Sequence, residues 1–342
     1  MKKLLPLAAA LAVTAVAVAH TRAPSPAPAP APTEIVAAAP KSDWVAIAAS
    51  DLLVMDLAPD MKNRPRRVVI QLMPPPFSQG WIGNIRKLAA AHWWDGLSIN
   101  RVQDNYVVQW GDADGEDKVK ARALPDGLAV VPESEYVIRP GQSLLKTLWG
   151  FRGRNPVGSF VKWGRNSSDF RDPYSNSASF AGGFPVGVKT QLSNSTEQGS
   201  QEFPIQMWPV HCYGMVGVGR NLPPDTGNGA ELYVVIGHAP RHLDRNIALV
   251  GRVIEGIEHL SSLPRGTGAL GFYETAEERT PITSVRLGNE IPALPAYEYL
   301  STESATFAKY ADSRANRRDP FFLHPAGGAD ICNIPVPVRR VK

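Results

Sequence analysis

The chain has 342 residues, of which 44% are hydrophobic and 20% are charged, and its formal net charge is +4. This length and apolar content are enough for one large domain or two small domains with a buried core. No run of Lys and Arg alternates with aromatic residues as in a nucleic-acid groove, so the modest positive charge indicates no nucleic-acid partner.

The first residues have the pattern of a secretory signal peptide. Lys2 and Lys3 precede an almost unbroken apolar run over residues 4–18, and residues 17–19 (AVA) fit a cleavage site. Because the run is short for a membrane span, we expect residues 1–19 to be cleaved; the alternative is an uncleaved anchor. The pattern predicts export to the periplasm of a Gram-negative bacterium, with no stable membrane insertion after cleavage.

Alternating Pro and Ala follow the cleavage site, most regularly over residues 23–32. Such a sequence cannot hold a helix and buries little, so it favours an extended, polyproline-like conformation. We therefore predict that residues 20–42 are a passive linker.

The next elements alternate between strand and helix patterns. Aliphatic runs at residues 51–57 and 66–73, with turn residues between them, predict a hairpin. Residues 78–92 carry apolar side chains at nearly helical spacing, and residues 97–109 return to strand character.

The middle of the chain loosens from residue 112 onward, where Gly, Ser, Asn and Pro are frequent. No sustained period appears there, so we predict a long, irregular but ordered insertion over about residues 113–206. Many strands with few helices favour a closed or nearly closed antiparallel barrel. The remaining predicted elements are strands at 213–219, 231–237, 247–253 and 282–287 and a short helix at 254–262.

The common local motifs of catalysis and metal binding are missing from the sequence. His238 and His242 stand four residues apart, but Pro240 lies between them and no third ligand is near, so we expect loop histidines. The acidic run at residues 112–117 lacks the spacing of a calcium loop and favours a solvated turn. We expect no metal and no cofactor.

One segment has a specific pattern. Residues 94–112, WDGLSINRVQDNYVVQWGD, resemble the signature of the cyclophilins without a gap. The matching positions are Trp94, Gly96, Arg101, Tyr106, Gln109, Gly111 and Asp112.

Two later blocks resemble the same family in order and spacing. Residues 214–237 match its strand, Asn/Gly-rich loop and strand, and residues 242–260 match the loop and Gly-helix segment that follow. The resemblance covers about residues 51–288 and implies a mainly β fold: an eight-stranded antiparallel barrel capped by helices. The cyclophilin-like domain is placed at residues 43–295.

The resemblance implies a peptidyl-prolyl cis–trans isomerase that acts on proline-containing polypeptides, and we expect a monomer. Rotation about an X–Pro bond has a barrier of about 18–20 kcal/mol and needs no covalent intermediate. The implied catalytic residues are Arg101, which donates to the imide nitrogen, and Gln109, which positions it. The implied substrate-binding residues are Tyr106, Val107, Gly219, Glu231, Tyr233, His242 and Leu243.

Several positions differ from the family pattern. Arg220 and Glu231 replace the family's Asn and Gln, His242 replaces the Trp that binds cyclosporin, and Ile247 replaces a His. Two functions therefore stay open: an isomerase, and a catalytically weak cyclophilin-like module that binds peptides or acts as a chaperone.

The C-terminal extension, residues 296–342, has a helical pattern near residues 304–316 and then a Pro-rich tail. The chain has two cysteines, Cys212 and Cys332. An isolated pair in an exported protein often forms a disulfide, which here would join the tail to the core; two buried free thiols are the alternative.

Overall fold

The computed structural model describes residues 29–139, 172–192, 202–324, 326 and 328–341. The predicted signal peptide, the first part of the predicted linker, and residues 140–171 and 193–201 of the predicted insertion lie outside the described residues. The described α-helices are α1 (Pro32–Ala37), α2 (Gln79–Ala90), α3 (Glu258–Ser261) and α4 (Ala305–Ala315). The described strands are β1 (Trp44–Ile47), β2 (Leu52–Leu57), β3 (Arg66–Leu72), β4 (Ser98–Val102), β5 (Val107–Gly111), β6 (Ser177–Ala181), β7 (Phe184–Leu192), β8 (Glu202–Pro209), β9 (Met215–Val218), β10 (Leu232–Val235), β11 (Leu249–Glu255), β12 (Thr280–Leu287), β13 (Tyr297–Leu300) and β14 (Val338–Arg340).

Eight of these strands close into an antiparallel barrel in the order β10-β5-β4-β12-β2-β3-β11-β9. This confirms the predicted mainly β fold. The barrel strands are apolar on both faces because both faces are covered. On β2, Leu53 and Met55 lie in the barrel core, whereas Leu52 and Val54 lie in a second cluster outside it. The unbroken aliphatic run of the sequence follows from this two-sided burial.

Helix α2 packs its apolar face into the barrel core through Trp81, Ile85 and Leu88. The Trp81 indole nitrogen also donates hydrogen bonds to the backbone oxygens of Thr226 (3.1 Å) and Gly227 (2.9 Å). The helix therefore holds the loop between β9 and β10, which becomes one wall of the groove described below.

The insertion is more regular than the sequence predicts. Strands β6, β7 and β8 form a three-stranded antiparallel sheet, and β7 contributes Phe184, Val186 and Val188 to the main core. Gly187 lies against the Trp208 indole, where a side chain would collide. Small residues in these strands, such as Ser177–Ala181, hide the apolar alternation on which the prediction of strands depends.

The two ends of the described chain build a second layer on the barrel. Strand β13 pairs with β1 on one side and β14 on the other. Ile47 and Tyr297 of this sheet pack on Leu52 and Val54 of the barrel. The extension after residue 295 is thus an integral layer of the fold.

Part of the predicted linker belongs to the same layer, which corrects the prediction for residues 20–42. Residues 32–37 form helix α1, and Ile35 and Val36 pack against the cluster around Phe307 of α4. Pro32 stands at the first turn of α1, where its missing N–H costs nothing. The Pro/Ala composition conceals these two apolar anchors.

Arg252 on β11 joins the insertion to the barrel from inside the protein. Its guanidinium donates to the Gln71 side-chain oxygen from Nε (3.0 Å) and Nη2 (2.8 Å) and to the Gly183 backbone oxygen from Nη1 (2.8 Å). The Phe184 ring lies 4.8 Å from the guanidinium carbon. Burial lowers the pKa of Arg252 to about 10, and these acceptors offset part of its loss of hydration.

Cys212 and Cys332 are bonded in the structure, with their Cα atoms 5.0 Å apart and a sequence separation of 120. Cys212 precedes β9, and Cys332 follows Ile331, which is buried in the main core. The bond therefore fixes the C-terminal extension to the barrel wall.

We predict that reduction of this disulfide lowers the free energy of unfolding by about 4–5 kcal/mol, because a closed loop of this length restricts the unfolded chain strongly. Urea unfolding with and without reductant measures the effect. The double variant Cys212→Ser/Cys332→Ser is the control, since reductant should leave its midpoint unchanged. Equal midpoints for the oxidised and reduced wild-type protein would contradict the prediction.

Candidate active site

A groove of about 1320 Å³ follows the outer face of β4, β5 and β10. The loop between β9 and β10, the first part of the insertion and the segment before β12 form its other walls. The predicted site residues that line this groove are Arg101, Tyr106, Val107, Gln109, Gly219, Glu231, Tyr233 and Leu243.

The strand register places the polar and aromatic side chains of the groove in one row. Arg101 is opposite Gln109 on β5, and Gln109 is opposite Tyr233 on β10. The pairing of β4 with β5 shifts between Ile99 and Arg101. This bulge keeps both Ile99 and Val102 in the core and turns Arg101 outward.

Hydrogen bonds hold the Arg101 guanidinium at three of its nitrogens. Nε donates to the Leu270 backbone oxygen (2.8 Å), Nη1 donates to Oε1 of Gln109 (3.2 Å), and Nη2 donates to Oε1 of Gln103. Burial lowers the pKa of Arg101, but a guanidinium stays protonated at neutral pH. The site therefore contains a fixed positive charge.

Two aromatic rings flank this charge. The guanidinium carbon lies 5.7 Å from the centre of the Tyr106 ring and 5.2 Å from that of Phe272. The sequence prediction includes Tyr106 but misses Phe272 and Leu270. These two residues belong to a Gly-rich turn without a motif, in which Leu270 adopts a left-handed φ of 57°.

An apolar pocket adjoins the guanidinium. Val107, Tyr233 and Val235 form a buried cluster, with Tyr106 and Ile247 packed against it. The residues of this cluster come from different strands and loops, which the barrel brings together. The walls of the pocket are therefore apolar.

Glu231 lies beside Gln109 at the polar end of the row. Its Oε1 accepts a hydrogen bond from the Asp112 backbone N–H (2.7 Å), and its Oε2 is 3.5 Å from Nε2 of Gln109. Gly111 leaves the space for this carboxylate, because a Cβ at that position would overlap it. The amide oxygen of Gln109 accepts a hydrogen bond from Arg101, and its amide nitrogen donates to Glu231. These two bonds fix the orientation of the amide.

Burial raises the pKa of Glu231 to about 7, although hydrogen bonds from Gln109, the Asp112 backbone and Asn100 oppose the shift. A Gln at this position would carry no charge at any pH. The replacement therefore gives the groove a carboxyl group that titrates near neutrality.

Gly219 and His242 lie at the edges of the site. An added Cβ on Gly219 would lie 2.9 Å from the Glu231 Cβ, so this position needs glycine to keep the groove open. His242 is exposed and its ring is parallel to that of Tyr106, with 6.5 Å between centres. His242 therefore borders the site but is not one of the described residues that line the groove.

Within the described ranges, no group of three His, Cys, Asp or Glu side chains is arranged to hold a metal ion. The backbone N–H of His238 donates to Oδ1 of Asn105, which places this histidine in a loop contact.

Among the residues that the structure describes, no helix has the length and apolar character needed to cross a membrane.

Comparison with known proteins finds similarity to cyclophilins. Residues 160–287 match the family model described as cyclophilin type peptidyl-prolyl cis-trans isomerase/CLD. The crystal structure of cyclophilin AquaCyp293 from Hirschia baltica is similar at a TM-score of 0.58 and 21% identity, over 87% of this chain and 94% of that one. A cyclophilin type peptidyl-prolyl cis-trans isomerase from Cryptosporidium parvum has a TM-score of 0.36 and 10% identity, over 69% and 97% of the two chains. The chain matches none of the curated proteins with which it was compared.

The barrel and its groove define the cyclophilin class of fold. Residues 160–287 match the cyclophilin-type peptidyl-prolyl cis–trans isomerase model. The segment around Arg101 precedes these residues and belongs to the same barrel.

The raised pKa of Glu231 leads to a prediction about stability. Because the carboxyl binds its proton more tightly in the folded state (pKa about 7) than in the unfolded state (4.5), its contribution is complete below pH 4.5 and is lost as the pH rises through 7. The variant Glu231→Gln lacks this titration, so its stability relative to wild type should rise by about 3 kcal/mol between pH 4.5 and pH 8.

Urea unfolding of both proteins at the two pH values measures this difference. Taking the difference between variant and wild type removes the contributions of all other titrating groups. A constant difference across the range would show that Glu231 titrates normally.

Proposed function

We propose that the protein catalyses rotation about X–Pro bonds in exported polypeptides, without a covalent intermediate, and that Arg101 stabilises the twisted bond. The observation that carries the proposal is the juxtaposition of a fixed guanidinium with an apolar pocket in one groove. The position of Arg101 beside the pocket supports its assignment as the catalytic residue.

The chemistry requires a donor at the imide nitrogen. The barrier exists because the nitrogen lone pair is delocalised into the carbonyl, and at the transition state that pair is localised on a pyramidal nitrogen. A hydrogen-bond donor favours the localised pair over the delocalised one. The described contacts of Arg101 use three of the five N–H bonds of a guanidinium, and the other two remain for a substrate.

Positioning is the second requirement. A proline ring in the pocket of Val107, Tyr233 and Leu243 would place its nitrogen beside Arg101. Bonds to Gln109 and Leu270 hold the guanidinium before substrate arrives, so little ordering is left to the reaction itself.

Glu231 is the observation that favours the second candidate function, a peptide-binding module with weak catalysis. An ionised carboxylate beside Gln109 attracts the Arg101 charge and competes with substrate for the Gln109 amide. Retained binding of proline peptides without turnover in the wild-type protein would support this second function.

Export is supported by the N-terminal sequence and is compatible with the disulfide, since disulfides persist in oxidising compartments. On this proposal the protein works in the periplasm on newly exported chains.

We predict that the mature protein begins at His20 and is found in the periplasmic fraction of a Gram-negative host. N-terminal sequencing of the fractionated protein tests this. A variant with Lys2 and Lys3 replaced by Glu should accumulate as precursor, because the positive start of the signal is lost. Full-length wild-type protein in the membrane fraction would favour the uncleaved anchor.

We predict that Arg101→Ala lowers kcat/KM for an X–Pro peptide by about 10²- to 10³-fold, because the donor to the imide nitrogen is lost. Arg101→Lys keeps the charge but loses the fork that holds it, and should restore only part of the activity. A protease-coupled isomerisation assay measures the rates.

Arg67→Ala is the matched control. It removes a barrel-strand arginine that forms a two-bond ion pair with Asp56 and does not line the groove. Its activity should equal that of wild type. Unchanged turnover in a folded Arg101→Ala protein would refute the role of Arg101.

A further inference from the structure

The hydroxyl of Tyr233 points away from the groove. The Tyr233 ring forms part of the pocket wall and lies directly over Gly217, where any side chain would overlap the ring and its hydroxyl. The hydroxyl is hydrogen-bonded to Nε2 of His211 at 2.8 Å, and the two rings are nearly parallel. The side chain is 5% exposed, so no solvent competes for this bond.

His211 is completely buried and both of its ring nitrogens are hydrogen-bonded. Nδ1 lies 2.9 Å from Oδ1 of Asp244, which also accepts the His211 backbone N–H at 3.0 Å. Burial lowers the pKa of His211, so the ring is neutral at pH 7. The carboxylate can only accept, so Nδ1 carries the proton and Nε2 accepts from Tyr233.

Asp244 is held in turn by a buried arginine. Nε of Arg241 donates to Oδ2 of Asp244 (2.6 Å), and its Nη2 donates to Oδ2 of Asp172 (3.0 Å). Burial would lower the pKa of Arg241, but these two carboxylates outweigh it and raise the pKa. Side chains of Arg241, Asp172 and Asp244 are 6%, 7% and 1% exposed, so the pairs are little screened by solvent.

The chain of bonds starts outside the barrel strands. Asp172 belongs to the insertion, and Asp330 of the C-terminal extension approaches Arg241 at 3.9 Å. Asp330 also accepts the backbone N–H of Cys332, whose disulfide partner Cys212 directly follows His211. Both added segments therefore converge on the group that holds Tyr233.

We propose that Asp172, Arg241, Asp244 and His211 are positioning residues that fix the Tyr233 wall of the proline pocket, so that the insertion sets the affinity of the site for proline. This inference rests on the proposed function and adds residues that do not touch substrate. Each of these side chains is bonded to the next. The series of bonds ends at the Tyr233 hydroxyl, which is bonded to His211 behind the pocket wall.

Two variants test the proposal at opposite ends of the chain of bonds. Tyr233→Phe removes only the hydroxyl, and should raise KM for an X–Pro peptide about fivefold with kcat changed less than twofold. Asp172→Asn should raise KM about two- to threefold, although residue 172 does not line the groove.

The decisive measurement is the double variant. If Asp172 acts through Tyr233, Asp172→Asn adds nothing to KM once the hydroxyl is gone; a merely structural role would give additive effects. Asp56→Asn, which breaks the ion pair with Arg67, is the control and should leave KM unchanged. Additive effects, or an unchanged KM in folded Tyr233→Phe, would overturn the proposal.

Failure of the proposed function is distinguished by the wild-type protein. If it does not isomerise the peptide but binds it, the same comparison is made on Kd by titration calorimetry with succinyl-Ala-Ala-Pro-Phe, and the same non-additivity is expected. If the wild-type protein neither turns over nor binds this peptide, there is no proline pocket to position, and both proposals fall.

Discussion

The site depends on the register between neighbouring barrel strands. Arg101, Gln109 and Tyr233 stand opposite one another on β4, β5 and β10, so one ladder row carries the charge, its positioning amide and the pocket wall. A slip of one residue in either pairing would send one of these side chains into the core. Closure of the barrel between β9 and β10 prevents such a slip, because every strand has two partners.

The segments added to the barrel also serve the groove. The insertion reaches it through Asp172 and Arg241, and the extension through the Cys212–Cys332 bond. Arg252 ties the turn before β7 to the barrel by a separate set of bonds. The buried Arg252 guanidinium and the Cys212–Cys332 bond thus each fix an added segment to the barrel.

The sequence predicts the barrel well because its strands carry dense aliphatic runs and because the segment around Arg101 matches a known motif without a gap. Of the residues that the motif and the later blocks place at the site, all but His242 line the groove. The sequence misses Phe272, whose place beside Arg101 is fixed only by tertiary contact, and it misses the bond between His211 and Asp244, which are 33 residues apart and carry no local pattern. Helix α1 is hidden by a composition typical of linkers, and its apolar side chains find partners only on α4.

The sheet of β1, β13 and β14 has a consequence for the order of assembly. Trp44 pairs with Leu300, and Tyr297 pairs with Arg340, so the first and last strands of the described chain meet on one central strand. The pairing of β1 with β13 joins strands that are far apart in sequence, and no nascent intermediate that lacks residue 340 can complete the sheet. During synthesis the barrel strands can pair while β1 still waits for its neighbours, with its backbone N–H and C=O groups unpaired. A product truncated before β14 would therefore leave one edge of β13 open to proteases and to other chains.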